Sequence, residues 1–303
     1  MDGLLILDKP RGCTSHDVVL EVRRLLRLQR VGHAGTLDPE ATGVLIVALG
    51  QATRFFPYLS GQDKAYAGTI RLGYATDTYD ATGRPTSEDR APVFPSPDEV
   101  SAAMKSLEGV MLQSPPPYSA KKLGGRPAYR LARARKTFAL TPVRVTIRAF
   151  TLKSYAPPFA AFEAACSSGT YIRSLAHELG QRLGCGAHLF DLRRTASGPY
   201  GLDHTLSLGE VESAAAQGRI DKIVIPLEEL LPEATAVILT PEAVGRARNG
   251  SPVPFEQPAE SPFEVREAGE DRLFRLFEPS GRLLGLARLT AAGSALRPVL
   301  VIP

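Results

Sequence analysis

Cysteine is scarce in this chain, with only Cys13, Cys166 and Cys185 among 303 residues and no pair at CxxC spacing. An odd, dispersed set excludes a disulfide framework and suggests no zinc site, so a reducing cytoplasm is the simplest setting. No apolar run approaches the roughly 20 residues that a membrane-spanning helix needs. The opening Met1-Asp2-Gly3-Leu4-Leu5-Ile6-Leu7-Asp8 lacks the basic flank of a secretory signal. Walker, Rossmann and metal-ligand spacings are missing as well, which removes the usual sequence grounds for a nucleotide, redox cofactor or metal. One further absence points to a partner. Between Gly109 and Phe162 there is no Asp or Glu, whereas Lys121, Lys122, Arg126, Arg130, Arg133, Arg135, Lys136, Arg144, Arg148 and Lys153 all fall in that span. A solvated face interleaves both signs, so an acid-free basic stretch favours a phosphate backbone over an ordinary surface.

Hydrophobic content of 44% and charged content of 22% fit a globular chain able to bury a substantial core. The length suits one large domain or two ordinary ones. Net charge is +4. From Ala234 onward eight basic residues meet eight acidic ones, so the excess lies in the larger part.

The densest local signal is Gly32-His33-Ala34-Gly35-Thr36-Leu37-Asp38-Pro39-Glu40-Ala41-Thr42-Gly43-Val44-Leu45. It sets one acid, Asp38, between a glycine-rich approach and the buried-strand run Val44 to Leu49. By itself Asp38 reads first as a turn aspartate bonded to its own backbone. Upstream, Gly3 to Leu7 reads as a strand, and Thr14 with Asp17 as a capping box opening a helix whose Val18, Val22, Leu25 and Leu26 share one face. Arg23, Arg27 and Arg30 are expected opposite, either solvated or under a phosphate. Downstream, Tyr66 to Gly73 alternates as a strand, and Asp77 and Asp80 lie in a polar turn without EF-hand spacing. Ser96 to Leu107 reads as a capped helix, Val143 to Tyr155 and Phe159 to Cys166 as paired strands. Thr170 is the expected N-cap of a helix with Ile172, Leu175, Ala176, Leu179 and Leu183 inward. Arg173 then falls in the first turn, where a cation opposes the helix dipole and calls for a carboxylate partner. A Glu/Leu-rich connector, Pro226 to Pro232, leads to a short helix around Leu239–Val244, ended near Gly250, and three short strands.

The Asp38 segment resembles the catalytic motif of the TruB family of pseudouridine synthases, in the form G-H-x-G-x-L-D-P-x-A-x-G-x-L. Lys64-Ala65-Tyr66 with Leu72-Gly73, Pro115 to Lys122, Ser167 to Arg173, and Gly186 to Arg194 extend the likeness over about the first 200 residues. The resemblance implies an α+β fold: a mixed, largely antiparallel sheet as catalytic domain over residues 1–232, with a basic thumb loop at about 114–142, and a small β-rich PUA-like RNA-binding domain over 234–303. It implies isomerisation of uridine to pseudouridine at position 55 in the T loop of tRNA, with the base flipped out, no guide RNA, no cofactor and no metal. Asp38 is the implied catalytic carboxylate, acting at C1′, at C6 or on the C2′ proton. Arg173 is implied to pair with it and hold its pKa down, and Tyr66 to lie on the uracil and assist its C5 proton. Tyr171 and Leu192 are implied to complete the base pocket, His33 to fill the vacated stack, and Lys121, Lys122, Arg126 and Arg130 to contact tRNA. A monomer without a membrane or protein partner is expected. Two other classes remain: an RNA-binding protein without catalysis, and an RNA glycosidase that leaves an abasic site.

If the acid-free stretch contacts phosphates, neutralising Lys121, Lys122 and Arg126 together weakens binding of every tRNA. The log–log salt dependence flattens by roughly two units, with the choice of target uridine unchanged. Binding isotherms over a salt series check this, and an unaltered slope identifies an ordinary solvated face.

Overall fold

The computed structural model describes residues 1–86, 94–118, 122–123, 126–127, 141–255 and 272–303. Its strands, in chain order, are β1 (Gly3–Lys9), β2 (Val31–Ala34), β3 (Thr42–Leu49), β4 (Lys64–Leu72), β5 (Gly109–Gln113), β6 (Lys122–Leu123), β7 (Arg126–Pro127), β8 (Val143–Ala156) and β9 (Phe159–Cys166). They continue with β10 (Ala187–Ser197), β11 (Tyr200–Gly201), β12 (Ile225–Pro226), β13 (Thr235–Ile238), β14 (Val253–Pro254), β15 (Leu273–Phe277), β16 (Leu283–Leu289) and β17 (Ala295–Val301). Helices are α1 (Ser15–Leu26), α2 (Phe56–Leu59), α3 (Pro97–Lys105), α4 (Ile172–Arg182), α5 (Leu208–Ala216) and α6 (Pro241–Arg248).

The fold is α+β. A ten-stranded sheet runs in the order β12-β1-β3-β10-β4-β9-β8-β5, with β2 on β3 and β11 on β10. Its pairs are antiparallel except β3 with β10, which meet through Arg193 opposite Thr42 and Arg194 opposite Gly43. The apolar run predicted as a buried strand is covered on both faces. Val44, Ile46 and Ala48 pack into one cluster with Phe55, Leu59 and Leu286, while Leu45, Val47 and Leu49 pack with Val18, Val19 and Val22 of α1. Two covered faces explain a continuous hydrophobic run in place of alternation. A third cluster joins α3 and α4 to β4, β8 and β9 through Met104, Leu175, Leu179, Ile70, Phe150 and Phe162.

After Ala234 the chain forms a separate five-stranded sheet, β13-β15-β16-β17-β14, around Phe274, Leu276, Leu284, Ala287 and Leu296. It packs on the larger sheet through Leu283, Leu286 and Ile302 against Leu4, Ile6, Leu230 and Leu231.

The capping boxes at Thr14/Asp17 and Ser96/Glu99 form. Three local expectations need correction. The strand predicted from Pro298 starts at Ala295, because Leu296 pairs with both Val253 and Leu289. Arg23 does not share an open face with Arg27 and Arg30. Strand β2 runs back along α1, and Arg23 Nη2 donates to the Val31 carbonyl at 2.7 Å. Thr170 does not cap α4: its hydroxyl donates to the Ser167 carbonyl at 2.9 Å, and the N-cap is Tyr171, whose backbone is still extended.

Gly43 sits where β3 meets β10, at φ +100, and a Cβ there would lie 2.2 Å from the Arg194 carbonyl oxygen. Gly184 also has positive φ, at +70, but faces open space. Gly43→Ala is expected to cost at least about 3 kcal/mol and Gly184→Ala about 1–2 kcal/mol, read from urea unfolding midpoints.

Candidate active site

The Asp38 loop leaves β2 through Gly35, at φ +83, and is fastened from both flanks. On one side the Leu37 amide donates to Ser15 Oγ at 2.9 Å, and that hydroxyl donates back to the Leu37 carbonyl at 3.2 Å. On the other, the wholly buried Lys9 donates to the carbonyls of Pro10, Cys13 and Pro39 at 2.8, 2.7 and 3.0 Å. The three carbonyls use all three ammonium donors, so Lys9 is a fixed post under the loop.

Helix α4 begins at the far edge of the same cavity. Its N-terminus has no capping side chain of its own. Gln113, 0% exposed at the end of β5, accepts from the Tyr171 amide at 2.8 Å and donates to the Tyr171 carbonyl at 3.1 Å. The first turn carries Arg173, 7% exposed. Its Nε and Nη2 fork onto the Asp38 carboxylate at 2.9 and 3.0 Å, and Nη1 reaches the Tyr118 carbonyl at 3.1 Å, the Thr78 carbonyl at 3.3 Å and Asp80 Oδ2 at 3.5 Å. The cation that the dipole argument found out of place therefore has two carboxylates before it.

Asp80 is held in turn by Thr78 Oγ1, the Thr82 amide and Thr82 Oγ1, which donate to its Oδ1 at 2.7, 3.0 and 2.6 Å. The Asp38 side chain stays 45% exposed, facing a cavity of about 430 Å³. Tyr66, Tyr171, Leu192, Lys64 and Arg194 line that cavity, with Asp38 and Arg173. A second hollow of about 280 Å³ shares Asp38, Arg173 and Leu192, and adds Arg11, Asp80 and Phe190.

Burial raises the Asp38 carboxyl above its ordinary range; Arg173 pulls it back down and Asp80 adds a push upward. The expectation that Arg173 sets the net direction is thus corrected, because desolvation outweighs the ion pair and a like charge lies behind it. Lys64 is pushed down to about 8, by burial first and by Arg194 second. Burial also raises the Tyr66 hydroxyl, against which Arg194 acts.

The structure brings together Asp38, Tyr66, Tyr171, Arg173 and Leu192. His33 is not among the cavity-lining residues: it sits half-buried on β2 opposite Val47, its pKa lowered by burial and by Arg194. Lys121 and Arg130, with Arg133, lie outside the described residues, and Lys122 and Arg126 are described only as backbone of the two-stranded β6–β7 ladder.

Residues 23–172 match the family described as TruB family pseudouridylate synthase (N terminal domain), and residues 173–232 match tRNA pseudouridylate synthase B C-terminal domain. The chain is 43% identical over 270 residues to tRNA pseudouridine synthase B of Solibacter usitatus, covering 89% of this chain and 90% of that protein. The chain belongs to the TruB family. This TruB-family chain is a pseudouridine synthase. It is also 40% identical to tRNA pseudouridine synthase B of Burkholderia pseudomallei over 293 residues, 95% of this chain and 93% of that protein. Among solved structures, the archaeal box H/ACA sRNP Nop10-Cbf5 complex matches with TM-score 0.73 and 25% identity, covering 99% of this chain and 86% of that one.

Sequence reading of this TruB-family chain gave no site role to Lys64, Arg194, Lys9 or Gln113, and took Asp80 only as part of a polar turn. A usable signal existed for Arg194, because it stands two residues from Leu192 on a strand and so shares its face. Removing the like charge in Asp80→Asn is expected to lower the Asp38 carboxyl pKa, read from its ¹³C shift against pH. A titration that stays put or moves up contradicts the electrostatic account.

Proposed function

We propose that this synthase converts uridine 55 in the T loop of tRNA to pseudouridine, without a guide RNA, as a cytoplasmic monomer. Support comes from two relatives named tRNA pseudouridine synthase B, each matched over nearly its whole length. The observation that carries the mechanism is the Asp38–Arg173 fork at the wall of a cavity that also contains Tyr66.

Such a cavity cannot take a base that is stacked in a loop. The uridine is flipped out, at a cost of roughly a few kcal/mol, and lies between Tyr66, Tyr171 and Leu192. The Asp38 carboxylate, aimed by Arg173, drives cleavage of the N-glycosidic bond. The base turns and rejoins the sugar through C5, and Tyr66 assists the proton that leaves C5. Isomerisation adds and removes no atom, so the reaction needs no co-reactant. His33 takes part in filling the vacated stack. Residues 1–232 are the catalytic domain, their basic thumb at about 114–142 carrying Lys121, Lys122, Arg126 and Arg130 to the T-arm phosphates. The sheet of residues 234–303 is a PUA-like RNA-binding domain.

Asp38→Asn keeps the shape of the side chain but not its charge. It is expected to lower turnover on unmodified tRNA by more than about 10⁴-fold with tRNA affinity nearly intact. Pseudouridine mapping at position 55, with product mass unchanged, tests the reaction and separates it from glycosidic cleavage. Substantial pseudouridine from the variant overturns the assignment of Asp38.

A further inference from the structure

Arg194 lies on β10, in register with Tyr66 of β4 on one side and Gly43 of β3 on the other, and is 1% exposed. Its Nε donates to the Val44 carbonyl at 2.7 Å and its Nη2 to the Gly35 carbonyl at 2.9 Å. Directly opposite it in the β10–β4 ladder, and so on the same face of the sheet, Tyr66 lines the same cavity. Among the described residues no ion pair links Arg194 to an Asp or Glu, unlike Arg173 and Arg193, which fork onto Asp38 and Asp8. The groups around it are cationic or neutral: Lys64 approaches the same side of Gly35, and His33 and Lys9 feel its charge. Cys166 and Asp38 face Tyr66 from β9 and from the active-site loop.

A buried guanidinium with no carboxylate partner among the described residues is a costly arrangement, and the residue in register with it carries a phenol able to become an anion. A guanidinium has only donors, so towards a phenol it can act only on the oxygen, which leaves the phenol proton free to point elsewhere. The same guanidinium holds Gly35, at the head of the loop that carries Asp38. It thereby fixes the phenol and the carboxylate relative to each other.

We propose that Arg194 is a positioning residue for Tyr66, orienting the phenol and supplying the resident positive charge that its oxygen needs during proton transfer. The proposal rests on the reading that Tyr66 lies against the target base. Isomerisation moves one proton within the base, from C5 to N1. Turning the detached uracil brings C5 to the place that N1 left, so one group can serve both atoms. Tyr66 gives its hydroxyl proton to N1 as the N1–C1′ bond breaks, and remains as a phenolate against Arg194. After the C5–C1′ bond forms, the phenolate takes the C5 proton, the C–H electron pair returns to the ring, and the hydroxyl is restored.

The test places 3-fluorotyrosine at position 66 of the full chain and follows its ¹⁹F shift against pH with Arg194, Arg194→Lys and Arg194→Met. The ionisation constant of the phenol is expected to fall at least about tenfold in Arg194→Met, with Arg194→Lys between. Single-turnover rates should fall by about 100-fold or more while tRNA affinity holds. A purely structural role would not move the phenol titration. Unchanged titration and rate in folded variants overturn the proposal. If melting curves show that the variants do not fold, a series of increasingly fluorinated tyrosines at position 66, with Arg194 intact, decides. Rates that follow phenol acidity support the proposal, and rates indifferent to it overturn it. An active Asp38→Asn would instead overturn the proposed function, so the two failures are distinguishable.

Discussion

Everything in the cavity depends on one buried cation at the wrong end of a helix. Arg173 stands in the first turn of α4, where the peptide dipoles repel positive charge, and its environment is nearly dry. It is tolerable there only because Asp38 and Asp80 approach it from two loops and the carbonyls of Thr78 and Tyr118 take up the remaining fork. Three separate parts of the chain are thus gathered on one guanidinium. The same contact leaves the Asp38 carboxylate oriented but still open to the cavity.

The sheet supplies the rigidity that this arrangement needs. Strand β3 is covered on both faces, so the Asp38 loop that precedes it is anchored to a strand without freedom to slide. Lys9 and Ser15, from the first strand and first helix, pin the loop's backbone from outside. Side chains held in this way take their orientation from the fold itself.

The parts of this picture legible in the sequence were those that a single element can report. Apolar periodicity placed most strands and helices, and cap chemistry placed two helix starts. The misplaced Arg173 announced a carboxylate partner, and the family motif supplied Asp38 as that partner. Asp80 was read as a polar turn, correctly for its threonine bonds, but its second oxygen faces Arg173 across 93 residues of chain. Gln113 was silent for a related reason, and Arg194 showed only that it shares a face with Leu192. Their importance comes from register and from loops that close in space, and neither leaves a mark in local periodicity. Thr170 was misread because its hydroxyl had a nearer carbonyl to serve.

The parallel pairing of β3 with β10 has a consequence for how the molecule comes into being. Strand β10 enters between β3 and β4, which precede it by more than a hundred residues, and it brings Leu192 and Arg194 with it. As the chain leaves the ribosome, the first 186 residues hold every other wall of the cavity but leave the middle of the sheet open. Closing so long a loop is slow. The pocket is therefore complete only once β10 has been made and has paired with the strands on either side of it.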